Sequence, residues 1–143
     1  MRKVFTAMAA LLLLVVVAEF YFAASGAFGA TTDDAAYRPH HVLGYVIFLL
    51  PLLMAAVAAA ARLPRRLIWT SLLVTGMTTV QVVIAKVALA LGAGTPGSLV
   101  FGLHAIGGLA LLASVVMVGR QARRLADTPD PARRAEAAVP TAS

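Results

Sequence analysis

The chain has no cysteine at all, which excludes disulfides, thiolate metal sites, thiol nucleophiles and the cysteine attachment of a c-type haem. Charge is also scarce, at 13% of 143 residues, about half the share expected of a soluble domain. Acidic side chains number six, and only Glu19 lies within an apolar run. That argues against a paired-carboxylate hydrolase, and two intramembrane charges, Glu19 and Lys86, are few for an ion-coupled transporter. No glycine-rich phosphate loop follows a strand pattern, no histidine pair has zinc-protease spacing, and no serine sits in a nucleophile elbow.

What the chain has instead is apolar length. Residues AVILMFWYC make up 61% of it, more than one soluble core of this size can hide. Four runs are long enough to cross a bilayer as helices, at about 4–28, 40–61, 67–91 and 98–119. The fold expected is all-α: a four-helix transmembrane bundle running up-down-up-down over residues 1–125, followed by a disordered tail at 126–143. The first run also has features of a secretory signal, with Arg2 and Lys3 before it and Ser25-Gly26-Ala27 near its end. Its apolar part exceeds a signal core and Glu19 interrupts the cleavage region, so a retained span is expected. Residues 29–38 read as a polar loop, with Pro39 in the first turn of the second helix and Pro51 kinking it. Ser98 reads as the N-cap of the fourth.

The net charge of +6 is sorted along the chain. Arg2, Lys3, Arg62, Arg65, Arg66, Arg120, Arg123 and Arg124 fall at one set of run ends, and Arg38 stands alone at the other. That sorting argues against nucleic acid. It predicts a multi-pass protein of the inner (cytoplasmic) membrane with both termini cytoplasmic.

The three histidines lie toward the opposite side. His41, followed by Gly44, and His104, followed by Gly107 and Gly108, have the pattern a b-type haem needs: imidazoles from two helices, each with small residues on its own face. Arg38, one turn before His41, would pair with a propionate. The same glycines also suit plain helix packing, and the histidines suit interfacial hydrogen bonding. His40 points about 100° from His41 and reads as interfacial. Glu19 reads as a partner of a ligand imidazole, a proton acceptor, a quinol contact or a structural carboxyl. Lys86 reads as a snorkelling side chain or as a propionate or Glu19 partner, and Gln81, with Thr75, Thr78 and Thr79, as interhelical glue. Tyr21, Tyr37, Tyr45 and Phe101 fall where an aromatic belt occurs.

Four stretches carry a resemblance: Glu19-Phe20-Tyr21-Phe22-Ala23-Ala24-Ser25-Gly26-Ala27-Phe28-Gly29, His41-Val42-Leu43-Gly44, Val80-Gln81-Val82-Val83 and Leu103-His104-Ala105-Ile106-Gly107-Gly108. In this order the chain resembles an uncharacterised family of small four-helix bacterial membrane proteins, a domain of unknown function, over residues 4–124. More distantly it is similar to one half of haem A synthase, whose halves grip a haem between histidines of their second and fourth helices. That resemblance implies His41 and His104 as ligands. The carboxylate which haem A synthase carries shortly before the histidine of a second helix is here replaced by Tyr37 and Arg38, against oxygenase-like chemistry.

The expectation is a membrane-bound b-type cytochrome, more electron carrier than enzyme, with haem b as cofactor. The alternatives are a haem-free accessory or assembly subunit and a small proton-coupled transporter using Glu19. Partners compatible with these readings are the lipid bilayer, a membrane redox protein or quinone, and a second copy of the chain. The orientation is directly testable, because single cysteines can be placed without background. A cysteine at Thr32 is expected to react with an impermeant thiol reagent in intact cells and one at Arg65 to stay shielded. The reverse labelling would overturn the orientation.

Overall fold

In the computed structural model, which describes residues 1–29 and 34–127, four helices account for nearly all the chain. They are α1 (Arg2–Gly29), α2 (Arg38–Ala60), α3 (Arg65–Leu91) and α4 (Thr95–Asp127), with a single 3-10 turn, Asp34–Tyr37, ahead of α2. Each is long and apolar enough to span a bilayer. In lipid every backbone polar group must find its partner within the protein, and a helix meets that demand inside one segment.

Consecutive helices run antiparallel and close into a square. α1 packs on α2, α2 on α3, α3 on α4 and α4 on α1, while the diagonal pairs have no close backbone approach among the described residues. The centre is filled by Phe5, Leu12 and Val16 of α1, Ile47 and Met54 of α2, Leu67 and Val74 of α3, and Val115 and Val118 of α4. The outside is as apolar as the inside: Leu14, Val17, Leu53, Trp69, Val83 and Leu109 are all exposed. Hydrophobic burial from water cannot therefore drive helix pairing, and packing and interhelical hydrogen bonds must. α3 shows the consequence, because its inward stripe holds Ser71, Thr75, Thr78 and Gln81. The Thr75 hydroxyl lies 3.4 Å from the Phe48 carbonyl of α2, and that of Thr70 lies 3.2 Å from Gln121 Oε1 of α4.

Several boundaries differ from those the sequence suggests. Ser98 is not the cap of α4; the helix starts a turn earlier at Thr95, and the Ser98 hydroxyl turns back onto the Thr95 carbonyl. At its other end α4 does not stop near Gly119 but continues to Asp127, so residues 126 and 127 belong to the helix rather than to a tail. The reason is a continued inward stripe: Val118, Ala122 and Leu125 are buried, and the Thr6 hydroxyl of α1 reaches the Ala122 carbonyl at 3.1 Å. The rest of the expected tail, 128–143, lies outside the described residues, as do positions 30–33 of the expected loop. Pro39 occupies the first turn of α2, where its missing N–H costs nothing, and α2 runs through a buried Pro51.

The turns are tight. After α2 the N–H of Arg62 bonds to the Ala59 carbonyl and that of Leu63 to the Ala58 carbonyl, a Schellman closure with Arg62 at φ 51° in place of the usual glycine. Between α3 and α4, Gly92 has φ 77°. There Gly97 packs so closely under the turn that a Cβ would collide with the Gly92 carbonyl oxygen and come within 3.0 Å of the Ala88 carbonyl. Gly97→Ala is expected to lower stability by about 1–3 kcal/mol through overpacking. Gly94→Ala, whose Cβ would make only an ordinary contact with Pro96, should be near neutral. Thermal melting in detergent compares the two.

Candidate functional site

Away from the arginine-bearing ends, one polar residue from each helix reaches the same region of the bundle. Glu19 comes from α1, His40 from α2, Gln81 from α3 and His104 from α4. Glu19 and Gln81 each lie ten residues from the ends of α1 and α3, about 15 Å at helical rise, whereas His40 is two residues from the start of α2.

The α3–α4 side is held by a reciprocal pair. Gln81 Nε2 donates to the His104 carbonyl at 2.6 Å, and His104 Nδ1 lies 3.1 Å from the Gln81 carbonyl oxygen. A carbonyl can only accept, so that contact places the proton on Nδ1 and leaves Nε2 of His104 with a free lone pair. The pair needs Gly107, where a Cβ would collide with the Gln81 amide. Phe101, one turn before His104, stacks on its ring with centroids 5.3 Å apart and planes 7° from parallel.

Across the bundle, His40 Nδ1 is 3.1 Å from Glu19 Oε1, a polar contact between α2 and α1. The His40 and His104 rings meet along the α2–α4 diagonal, with centroids 6.3 Å apart and planes at 68°. Three buried polar atoms here have no hydrogen-bond partner among the described residues: Glu19 Oε2, His40 Nδ1 and Gln81 Oε1. The His40 contact is thus close but not aligned as a hydrogen bond. A membrane interior penalises unpartnered polar atoms, and their collection at one point marks this centre as a place for a ligand, a proton or water.

The structure does not bring His41 to His104; the ring that meets His104 is that of His40. His41 is exposed, its ring stacked on Tyr37 at 6.4 Å and 24°, while His40 faces the interior. The reason is the inward stripe of α2, in which Ile47, Pro51, Met54 and Ala58 are buried; counting back seven residues from Ile47 gives His40. Tyr37 sets the register. Its ring lies against Gly26 of α1, where a Cβ would come within 2.8 Å of Tyr37 Cδ1. The glycine spacing gave no signal for the choice, because His40–Gly44 and His104–Gly108 match at i, i+4 just as His41–Gly44 and His104–Gly107 match at i, i+3.

The other candidates divide between the cluster and the surface. A Cβ on Gly44 would meet Glu19 Oε1 at 3.7 Å, and one on Gly108 would meet Phe20 Cζ and Gln81 Nε2 at 3.5 Å each. Both glycines border the cluster, but the space beside them is occupied by those side chains. Arg38 is exposed at the first position of α2, and Lys86 is exposed on α3, about a turn beyond Gln81. Neither reaches the cluster. Among the described residues no group of three or more His, Cys, Asp or Glu side chains is placed to hold a metal ion.

A square of four bilayer-length helices with polar residues gathered inside it defines a multi-pass membrane protein. Residues 19–90, half of the chain, match a family of unknown function (DUF6220), and the protein belongs to that family. No curated protein and no solved structure is significantly similar to it. The matched segment contains Glu19, His40 and Gln81 and ends before His104.

The Gln81–Gly107 contact has a measurable consequence. Gly107→Ala should destabilise the protein by about 1–3 kcal/mol, whereas Gly102→Ala, with nothing within 4 Å of its Cβ, should not. In a double-mutant cycle Gln81→Ala is expected to relieve most of the Gly107→Ala cost; strict additivity would mean the two residues do not interact.

Proposed function

We propose that this protein is a membrane-bound b-type cytochrome whose single haem is held by His40 and His104 and which carries electrons. The observation that supports this most is the diagonal pair of imidazoles. They come from different helices and meet edge to face with centroids 6.3 Å apart; His104 Nδ1 is turned to the Gln81 backbone carbonyl, which leaves its Nε2 for an iron, and His40 Nδ1 lies beside Glu19 Oε1. The donor set therefore fits a bis-imidazole haem. Gly44 and Gly108 border the site, and Phe20 and Glu19 would have to turn aside to admit the group. Phe20 is already partly exposed.

When bound, such a haem supplies a one-electron couple with both axial positions filled, which suits electron transfer rather than oxygen chemistry. The chain's own residues orient the ligands. The Gln81 backbone carbonyl fixes the tautomer of His104, and Phe101 covers one face of its ring. Arg38, at the head of α2, is the nearest cation along that helix for a propionate. The basic ends of the bundle face the cytoplasm in this reading, so the haem lies toward the outer leaflet of the inner membrane. Its donor or acceptor is then a membrane redox protein or a quinone.

A second reading rests on the unpartnered Glu19 Oε2. A carboxyl with a free oxygen next to an imidazole, inside a membrane, is a proton-exchange site for a small transporter.

Absorption spectra of protein purified in mild detergent with haem supplied separate the two. The wild type is expected to show a low-spin Soret band. His40→Ala and His104→Ala should lose it or leave a high-spin remnant, and His41→Ala should keep it. Loss on His41→Ala with retention on His40→Ala would overturn the register. Absence of any haem, together with proton-coupled uptake in proteoliposomes that Glu19→Gln abolishes, would replace the cytochrome with the transporter.

A further inference from the structure

From the arginine-bearing end toward the middle of the bundle, α1 and α4 do not close against each other completely. Between them runs a groove of about 330 Å³, floored by small residues and walled by Leu13, Leu14 and Val17. Ala9 and Ala10 of α1 and Gly119 of α4 create the room, and a Cβ on Gly119 would touch nothing within 4 Å. Arg123 also lines the groove. It lies four residues beyond Gly119 and therefore on the same face of α4, one turn nearer the helix end. The trench is apolar along its length and carries a cation at its mouth.

We propose that this groove binds an anionic phospholipid, with one acyl chain along α1 and the headgroup phosphate at Arg123. Three observations support this occupant. Arg123 is exposed and makes no ion pair among the described residues, so its guanidinium is available to form paired N–H bonds to phosphate oxygens. Lys3, Arg120 and Arg124 lie at the same end, against a single described carboxylate there, Asp127, so the local field favours an anion. The trench walls are aliphatic, which matches a lipid chain and offers a hydrogen-bonding ligand little beyond the Thr6 hydroxyl, already close to the Arg2 and Ala122 carbonyls. A second copy of the chain would also cover an apolar groove, but it would bring like charge to Arg123, because the same end of every copy is basic.

The test is native mass spectrometry of the full chain released from detergent. Phosphatidylglycerol and phosphatidylcholine of identical acyl chains are supplied in equal amounts. One retained phosphatidylglycerol is expected, preferred about fivefold or more, the factor associated with one well-placed basic residue at a membrane surface. Arg123→Gln should erase the preference, Arg66→Gln on the α2–α3 side should leave it, and Gly119→Leu, which fills the trench, should lower retention of both lipids. Equal retention of the two lipids by the wild type overturns the proposal, as does a preference that survives Arg123→Gln. A dimer that dissociates on Gly119→Leu would assign the groove to a second copy instead. Neither result depends on whether haem binds at the other site.

Discussion

The reciprocal bonding of Gln81 and His104 is the interaction on which the rest of the polar centre depends. In a lipid environment a buried amide cannot turn to water, so Gln81 must find its partners on the neighbouring helix. Its Nε2 finds the His104 carbonyl, and the backbone carbonyl of Gln81 accepts from His104 Nδ1. Two contacts between the same two residues fix α3 and α4 in rotation and depth together. The close approach requires a glycine at 107, and the ring that results is locked in one tautomer and aimed across the diagonal of the bundle. His40 and Glu19 meet it there from the other two helices.

The two ends of the molecule solve different problems. At the arginine end the interior is well packed, with Phe5, Leu12, Leu67, Val115 and Val118 all fully buried or nearly so. That end can be rigid, and its charges sit outside the packed interior, where they can meet water and lipid headgroups. At the other end the interior has been given to polar groups, three of whose atoms have no partner among the described residues. Such atoms cost stability unless something binds to them. A protein that keeps a carboxyl, two imidazoles and an amide in one small volume gives up packing energy there.

Much of the fold was legible because bilayer thickness acts directly on sequence. Four apolar runs of spanning length, basic clusters at alternate ends, and short Pro- and Gly-bearing turns together define four antiparallel helices without reference to tertiary contacts. The extent of α4 was not legible in this way. Residues 120–127 carry Arg120, Arg123 and Arg124 and read as the end of a span, yet Ala122 and Leu125 continue an inward stripe that only the packing against α1 makes visible. A run of apolar residues measures how much chain can sit in lipid, not how far a helix continues beyond it.

The site shows the same division more sharply. That Glu19, Gln81, His104 and one of two adjacent histidines lie inside the bundle follows from the sequence, since polar groups in apolar runs turn away from lipid. Which histidine it is does not follow from a glycine three residues on, because i+3 and i+4 neighbours share a helix face and both registers satisfy the spacing. The choice was made by α2 as a whole: Ile47, Pro51, Met54 and Ala58 face the core, Tyr37 lodges against Gly26, and His40 is the residue that this rotation carries inward. The glycines likewise differ in use. Gly107 is filled by Gln81 while Gly44 and Gly108 are not filled to the same degree, a distinction that depends on side chains from other helices. Sequence alone determined the number of spans, their alternation and the set of polar residues that must be buried, because lipid imposes those through composition and length. Tertiary structure alone decided the rotation of each helix, and hence which side chains meet, because rotation is set by packing between helices that are distant in the chain.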